Sequence, residues 1–180
     1  MRYSNMKNLS ARELCIKGLL IALVAVSTMV ISVPVAATNG YIHLGDSVIL
    51  ISSIFFGWEY GLIAGGVGSM MADLLSGYAH WAPFTLVIKA IMGLIIGKMA
   101  NYDGVKGNFF SARNVIAALA GIVWMIFGYL VGGTILEGSF TVALTSIPSN
   151  IVQGVGGFVI YMVIGAALNK AKIYKLLPVK

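Results

Sequence analysis

The chain has 180 residues, of which 59% are hydrophobic and only 10% are charged, and its mean hydropathy is +0.93. A soluble domain of this length cannot bury so much apolar surface, so the composition indicates an integral membrane protein. The net charge of +6 is typical of many nucleic-acid-binding proteins, but the long apolar runs argue against nucleic acid as a partner.

Six apolar segments follow one another along the chain, and we predict that each forms a helix. Their predicted bounds are 13–33, 45–57, 60–76, 83–100, 112–135 and 147–168. The second segment is short for a membrane span, so we expect it to cross only part of the bilayer or to take residues from its loops. Pro34 is expected to end the first helix, and 35–44 is expected to form a turn-rich loop. The predicted fold is an all-α integral membrane protein, a six-transmembrane-helix bundle that forms one domain over residues 1–180.

Lysine and arginine are distributed unevenly among the predicted loops. They precede the first helix, flank the loop between the fourth and fifth helices, and follow the sixth helix, whereas the other loops contain none. Cytoplasmic loops carry the excess of basic residues in membrane proteins. We therefore expect a multi-pass protein of a prokaryotic-type cell membrane, with both termini in the cytoplasm and the remaining loops outside.

Small residues on two of the predicted helices indicate close helix packing. Gly61 and Gly65 have the Gly-xxx-Gly spacing, which predicts a central place in the bundle for the third helix. The first helix carries Gly18, Ala22 and Ala25, which would let another helix approach it closely.

Two ionisable residues lie inside predicted membrane helices. Lys89 is about two turns into the fourth helix, and Asp73 is near the end of the third. An ionised side chain in hydrocarbon costs several kcal/mol, so it is retained where it finds a carboxylate, water or a ligand. Lys89 could contact a substrate, or it could form a buried ion pair with Asp73 or Asp46.

Polar and aromatic residues are concentrated in the half of the bundle that is predicted to face outside. Together they offer an ammonium, carboxylates, amides and stacking rings, which suit a flat, polar heterocycle. The candidate substrate-binding residues are Asn39, Tyr41, His43, Asp46, Asp73, His80, Trp81, Phe84, Thr85, Lys89, Asn150 and Gln153. Interhelical hydrogen bonding is the alternative for the two amides, and a surface or interface position is the alternative for the two histidines.

Known enzyme motifs are absent from the sequence. It has no cluster of metal-ligand residues, no Gly-x-Ser-x-Gly elbow and no P-loop that could bind ATP. We therefore predict a protein that is not an enzyme, that needs no metal or cofactor, and that cannot hydrolyse ATP by itself.

Three blocks carry a resemblance to a known family: 40–46 at the start of the second helix, 68–77 at the end of the third, and 84–90 in the fourth. Their order resembles the S component of energy-coupling-factor (ECF) vitamin transporters over nearly the whole chain. The chain looks most like the branch associated with pyridoxine-type and hydroxymethylpyrimidine-type substrates. The resemblance implies high-affinity capture of a vitamin or vitamin precursor at the outer face. It also implies a transmembrane coupling subunit and two cytoplasmic ATPases as partners.

Members of this family are thought to topple in the membrane, with the first helix docking on the coupling subunit through an Ala-xxx-Ala spacing. This chain offers Gly18-xxx-Ala22 instead, and Val26 follows four residues later. A stand-alone ion-coupled secondary transporter, with Asp73 and Lys89 as a relay, is the alternative function. Pyridoxine, hydroxymethylpyrimidine, thiamine, riboflavin and a queuosine precursor all suit the candidate residues.

Overall fold

The computed structural model of the chain describes residues 10–30, 32–35, 40–100 and 110–172. It shows a helical bundle with one short antiparallel hairpin. The elements are α1 (Ala11–Val30), β1 (Ser32–Val35), β2 (Gly40–His43), α2 (Gly45–Ile51), a π-helical turn (Ser52–Phe56), α3 (Trp58–Leu75), α4 (Ala82–Met99), α5 (Ala112–Glu137), α6 (Phe140–Leu144) and α7 (Ser146–Lys170).

Among the residues that the structure describes, four helical stretches are long and apolar enough to cross a membrane. They are α1, α4, α5 and the combined α6–α7 stretch Phe140–Lys170, and Gly45–Phe56 is a shorter apolar helix. These stretches confirm the helical membrane class that the composition indicates. The count of six spans and the location of the termini stay predictions.

The segment after α1 is the main point at which the predicted secondary structure was wrong. The first helix ends at Val30 rather than at residue 33, and Pro34 lies in a strand rather than at the helix end. β1 pairs antiparallel with β2, with Ser32 opposite His43, so the expected loop is largely a hairpin. β-Branched and aromatic residues favour extended structure, and a proline is tolerated in an edge strand, which together explain the hairpin.

The largest remaining differences from the prediction lie just after the fifth helix. The fifth helix runs on to Glu137 and ends at Gly138, whose φ of 63° is in the left-handed region. The short helix α6 follows where a simple loop was expected, and the Ser139 side chain caps it by accepting from the backbone N–H of Val142. Gly138 and Ser139 are thus a helix stop and a helix start, not merely loop residues.

The contact between α3 and α4 depends on glycine. A methyl group at Gly93 of α4 would collide with the backbone of Gly61 in α3, and one at Gly65 would lie 2.8 Å from the backbone oxygen of Lys89. α3 also packs against α1, where a methyl group at Gly68 would meet the backbone oxygen of Ile21 at 2.7 Å. These contacts confirm the prediction that the third helix is central.

Successive helices run in opposite directions, so their ends fall into two groups at opposite ends of the bundle. The C-terminal ends of α1, α3 and α5 and the N-terminal ends of α2, α4 and α7 lie together with the hairpin, and we call this the hairpin end. The opposite end, here called the basic end, carries Arg12, Lys17, Lys98, Arg113, Lys170 and Lys172. Polar and aromatic candidate residues and basic loop residues therefore occupy opposite ends of the bundle.

Candidate substrate-binding site

A cavity of about 50 Å³ lies at the hairpin end and is partly open at the surface of the bundle. Its walls come from β2, the C-terminal end of α3, the start of α4, the C-terminal half of α5 and the first turns of α7. The lining residues are Tyr41, His43, Asp73, Trp81, Thr85, Tyr129, Ser146, Ser149, Asn150 and Gln153. This volume is smaller than that of typical small-molecule sites.

A buried ion pair lies directly behind this wall. The ammonium of Lys89 bonds Oδ1 of Asp46, and both side chains are 0% exposed. Lys89 Nζ also lies 3.0 Å from Met125 Sδ and 5.4 Å from the centre of the Tyr129 ring. The sequence left open whether Lys89 pairs with Asp46, pairs with Asp73 or contacts a substrate. The structure shows the pair with Asp46, and a direct substrate contact stays a prediction.

Gln153 connects this ion pair to the hairpin. Its Nε2 donates to Asp46 Oδ2 at 2.9 Å, and its Oε1 accepts from the backbone N–H of His43 at 3.2 Å. One side chain of α7 therefore holds both the start of α2 and the strand that covers the cavity. Interhelical hydrogen bonding, the alternative for the two amides, is present for Gln153.

His43 is buried in the cavity wall rather than exposed at the surface. Its Nδ1 accepts the backbone N–H of Gly45 at 3.1 Å. Burial lowers the pKa of His43 to about 4, and the nearby Lys89 lowers the pKa further, although the charge of Asp46 opposes both. The imidazole is therefore neutral near pH 7, and because Nδ1 is an acceptor, its proton is on Nε2.

Three aromatic side chains enclose the cavity. The Tyr41 hydroxyl donates to Asp73 Oδ1 at 2.7 Å, and the Tyr129 hydroxyl donates to Thr85 Oγ1 at 3.2 Å. Burial, followed by the charge of Asp73, raises the pKa of Tyr41, so its hydroxyl stays a donor. Trp81 meets the Tyr129 ring edge to face, with 5.6 Å between ring centroids. These rings present both π-faces and polar edges to a ligand.

Most of the predicted site residues line this cavity. They are Tyr41, His43, Asp73, Trp81, Thr85, Asn150 and Gln153. The remaining predicted residues that the structure describes do not line the cavity. Asp46 and Lys89 form the pair behind the wall, His80 is exposed, and Phe84 packs against Trp81 and lines a separate apolar groove. Asn39 lies outside the described residues.

Sequence reasoning missed three lining residues, Tyr129, Ser146 and Ser149. Two of them had a usable signal, because Ser146, Ser149, Asn150 and Gln153 recur at helical spacing and define one polar face at the start of α7. Tyr129 had only a weak signal, a single phenolic hydroxyl within the apolar helix α5. Its place opposite Trp81 and Thr85 depends on how α4 and α5 pack.

The predicted docking residues on α1 do not all face the same way. Gly18 and Ala22 are exposed, and a methyl group added at Gly18 would meet no atom within 4 Å. Ala25 is only 6% exposed and faces the bundle. Of the three predicted docking residues, Gly18 and Ala22 are therefore the exposed ones.

Apolar helices around a polar, aromatic cavity indicate a membrane protein with a small-molecule binding site. The profile of the ECF-type riboflavin transporter S component family matches residues 8–170, and the chain belongs to this family. It is thus a transporter component and not an enzyme, as predicted. S components bind vitamin-like substrates and work with an ECF module of ATPases and a transmembrane subunit.

Three relatives illustrate the range of similarity. An "uncharacterized protein in gap 3'region" of Pyrococcus woesei is 37% identical over 147 residues, which is 82% of this chain and 95% of that protein. A UPF0397 protein of Streptococcus pneumoniae (strain Hungary19A-6) is 29% identical over 86 residues, 48% of this chain and 47% of that protein. The thiamine precursor transporter HmpT of Lactococcus lactis is 25% identical over 169 residues, 93% of this chain and 94% of that protein.

Proposed function

We propose that this chain is the substrate-capture subunit of an ECF transporter that imports a vitamin or vitamin precursor. The observation that carries the proposal is the cavity at the hairpin end, where hydrogen-bonding groups and three aromatic rings converge. The substrate we propose is a small polar heterocycle such as hydroxymethylpyrimidine or pyridoxine. The alignment with a relative named as a thiamine precursor transporter supports a vitamin precursor as the substrate. Riboflavin, which the family name carries, is the competing ligand.

The proposed orientation places the cavity on the outer face of the cell membrane. The basic residues of the described chain, apart from the buried Lys89, lie at the end of the bundle opposite the cavity. Because cytoplasmic segments carry the excess of lysine and arginine, that end is the cytoplasmic one, with both termini on the same side and six spans between them. A substrate would then enter from outside, beneath the hairpin.

The roles of the site residues follow from their positions. Tyr41, Trp81 and Tyr129 cover the faces and edges of the ring, and Asn150 and the Nε2–H of His43 offer hydrogen bonds. Lys89, Asp46 and Gln153 hold the wall in place from behind. Closure of the hairpin over the bound ring would exclude water from these hydrogen bonds.

Transport should require an ECF module, whereas binding should not. We expect cells that express the chain with a coupling subunit and its two ATPases to accumulate radiolabelled hydroxymethylpyrimidine, pyridoxine, thiamine or riboflavin. Cells that express the chain alone should bind the compound without accumulating it, because the sequence has no P-loop for ATP. Accumulation by the chain alone that collapses with the ion gradient would instead establish the secondary transporter.

The exposed surface of α1 is proposed to dock on the coupling subunit. Replacing Ala22 by Trp should fill the space needed for close helix approach and reduce co-purification with the coupling subunit by about tenfold or more. Vitamin binding should not change, because Ala22 is remote from the cavity lining. Val123→Trp on α5 is the matched control, since Val123 is 66% exposed on another helix. Equal loss in both variants, or in neither, would refute docking through this surface.

A further inference from the structure

Two buried polar atoms in the cavity wall have no hydrogen-bond partner among the described residues: Oδ2 of Asp73 and Nε1 of Trp81. Asp73 is 4% exposed and Trp81 is 7% exposed, and both line the cavity. An unsatisfied buried polar group costs about 1–3 kcal/mol, so native proteins seldom leave one without a reason. Asp73 Oδ2 lacks a donor and Trp81 Nε1 lacks an acceptor in the lining of the same cavity, which indicates that a ligand supplies both.

The surroundings of Asp73 leave this carboxylate available to a ligand. Its Oδ1 accepts the Tyr41 hydroxyl, and although the Thr85 hydroxyl also lies near, no donor of the described chain meets Oδ2 with hydrogen-bond geometry. Within the part of the chain that the structure describes, Asp73 has no ion-pair partner within 4 Å. Lys89, the cation inside the bundle, is bonded to Asp46 instead.

The cavity therefore has an excess of negative charge. Its lining, as far as the described residues form it, includes Asp73 but no lysine or arginine. His43, the histidine in this lining, is neutral near pH 7 because burial lowers its pKa to about 4. A ligand that carries a phosphate or carboxylate would place like charges together without water to screen them, which costs several kcal/mol.

We propose that Asp73 and Trp81 select the substrate of this transporter, an inference that rests on the proposed function. The substrate is a neutral or cationic heterocycle that donates an N–H group to Asp73 Oδ2 and accepts a hydrogen bond from Trp81 Nε1. Phosphate esters of the same ring do not bind in the cavity. A ring nitrogen next to a carbon that carries an amino group offers both features within one planar ligand.

The test uses pairs of ligands that differ by one N–H donor, measured by isothermal titration with the purified chain in detergent. The probes are 4-amino-5-hydroxymethyl-2-methylpyrimidine, its analogue without the 4-amino group, and its phosphate ester. Riboflavin and N3-methylriboflavin form a second pair. We expect the amino compound or riboflavin to bind at least tenfold more tightly than its partner, and the phosphate ester not to bind.

Variants show whether the discrimination arises at these two residues. Asp73→Asn should weaken binding of the N–H-bearing probe by about 10- to 100-fold, because it exchanges an ionised acceptor for an amide. It should scarcely change the binding of the partner compound that lacks the donor. Trp81→Phe should cost about fivefold for probes that carry the ring acceptor. Ser52→Ala removes a partnerless buried hydroxyl outside the cavity and is the matched control, with unchanged affinity.

The outcomes separate the two levels of the proposal. If the wild-type chain binds none of these compounds, the proposed vitamin-capture function fails. If the chain binds a probe but Asp73→Asn leaves its affinity unchanged while the variant keeps its melting temperature, the selection by Asp73 is refuted. Selective binding of the phosphate ester would also refute it.

Discussion

Replacing Lys89 by Met is expected to lower the free energy of unfolding by about 3–5 kcal/mol, the cost of leaving one member of a buried ion pair alone. Asp46 would keep its hydrogen bond from Gln153 but would lose its counter-ion in a fully buried position. The loss should appear as a lower melting temperature of the purified protein in detergent.

Two further variants make this prediction specific. The double variant Lys89→Met with Asp46→Asn should recover most of the loss, because neither charge then remains and Gln153 Nε2 can still donate to an amide oxygen. Lys17→Met is the control, since Lys17 pairs at 3.7 Å with Glu59, whose side chain is 48% exposed, and such pairs contribute about 1 kcal/mol or less. If Lys89→Met melts like Lys17→Met but loses vitamin binding, Lys89 is a substrate ligand rather than a structural cation.

The second large effect is expected at the closest approach of α3 and α4. Gly93→Ala should destabilise the protein by about 1–3 kcal/mol, because the new methyl group collides with the backbone of Gly61, which cannot move without shifting a helix. Thermal melting in detergent measures the change.

A matched glycine on another helix should respond in the opposite direction. Gly156 lies within α7, and a methyl group there would meet nothing within 4 Å. Gly156→Ala should therefore leave stability unchanged or raise it by about 0.5–1 kcal/mol through the better helix propensity of alanine. Equal melting temperatures for the two alanine variants would contradict the proposed role of glycine in the α3–α4 contact.

The sequence was informative about the bundle because its signals are local. Length and apolarity marked the helices, and Gly61-xxx-Gly65 marked the packed face of α3. The hairpin escaped prediction because its first strand continues the apolar run of α1, and a short apolar run does not distinguish strand from helix. Only pairing with residues 40–43 makes the extended form favourable.

The site was predictable in outline and not in detail. Loops that alternate along the chain must share one end of a bundle, which is why the sequence alone could group Tyr41, Asp73 and Trp81. The partner of Lys89 could not be chosen in the same way, because Asp46 and Asp73 are both carboxylates at the same end. The rotation of α2 against α4 decides between them, and that rotation depends on packing across the whole bundle.

The central claim is that the cavity captures a small polar heterocycle with high affinity, and native mass spectrometry tests it most directly. The chain would be purified in detergent from cells grown in vitamin-containing medium, and any bound molecule would be released by collision and weighed. We predict a released ligand with the mass of a vitamin or vitamin precursor, retained by wild type and reduced in Asp73→Asn. A chain that carries no such molecule, and whose melting temperature does not respond to hydroxymethylpyrimidine, pyridoxine, thiamine or riboflavin, would contradict the account.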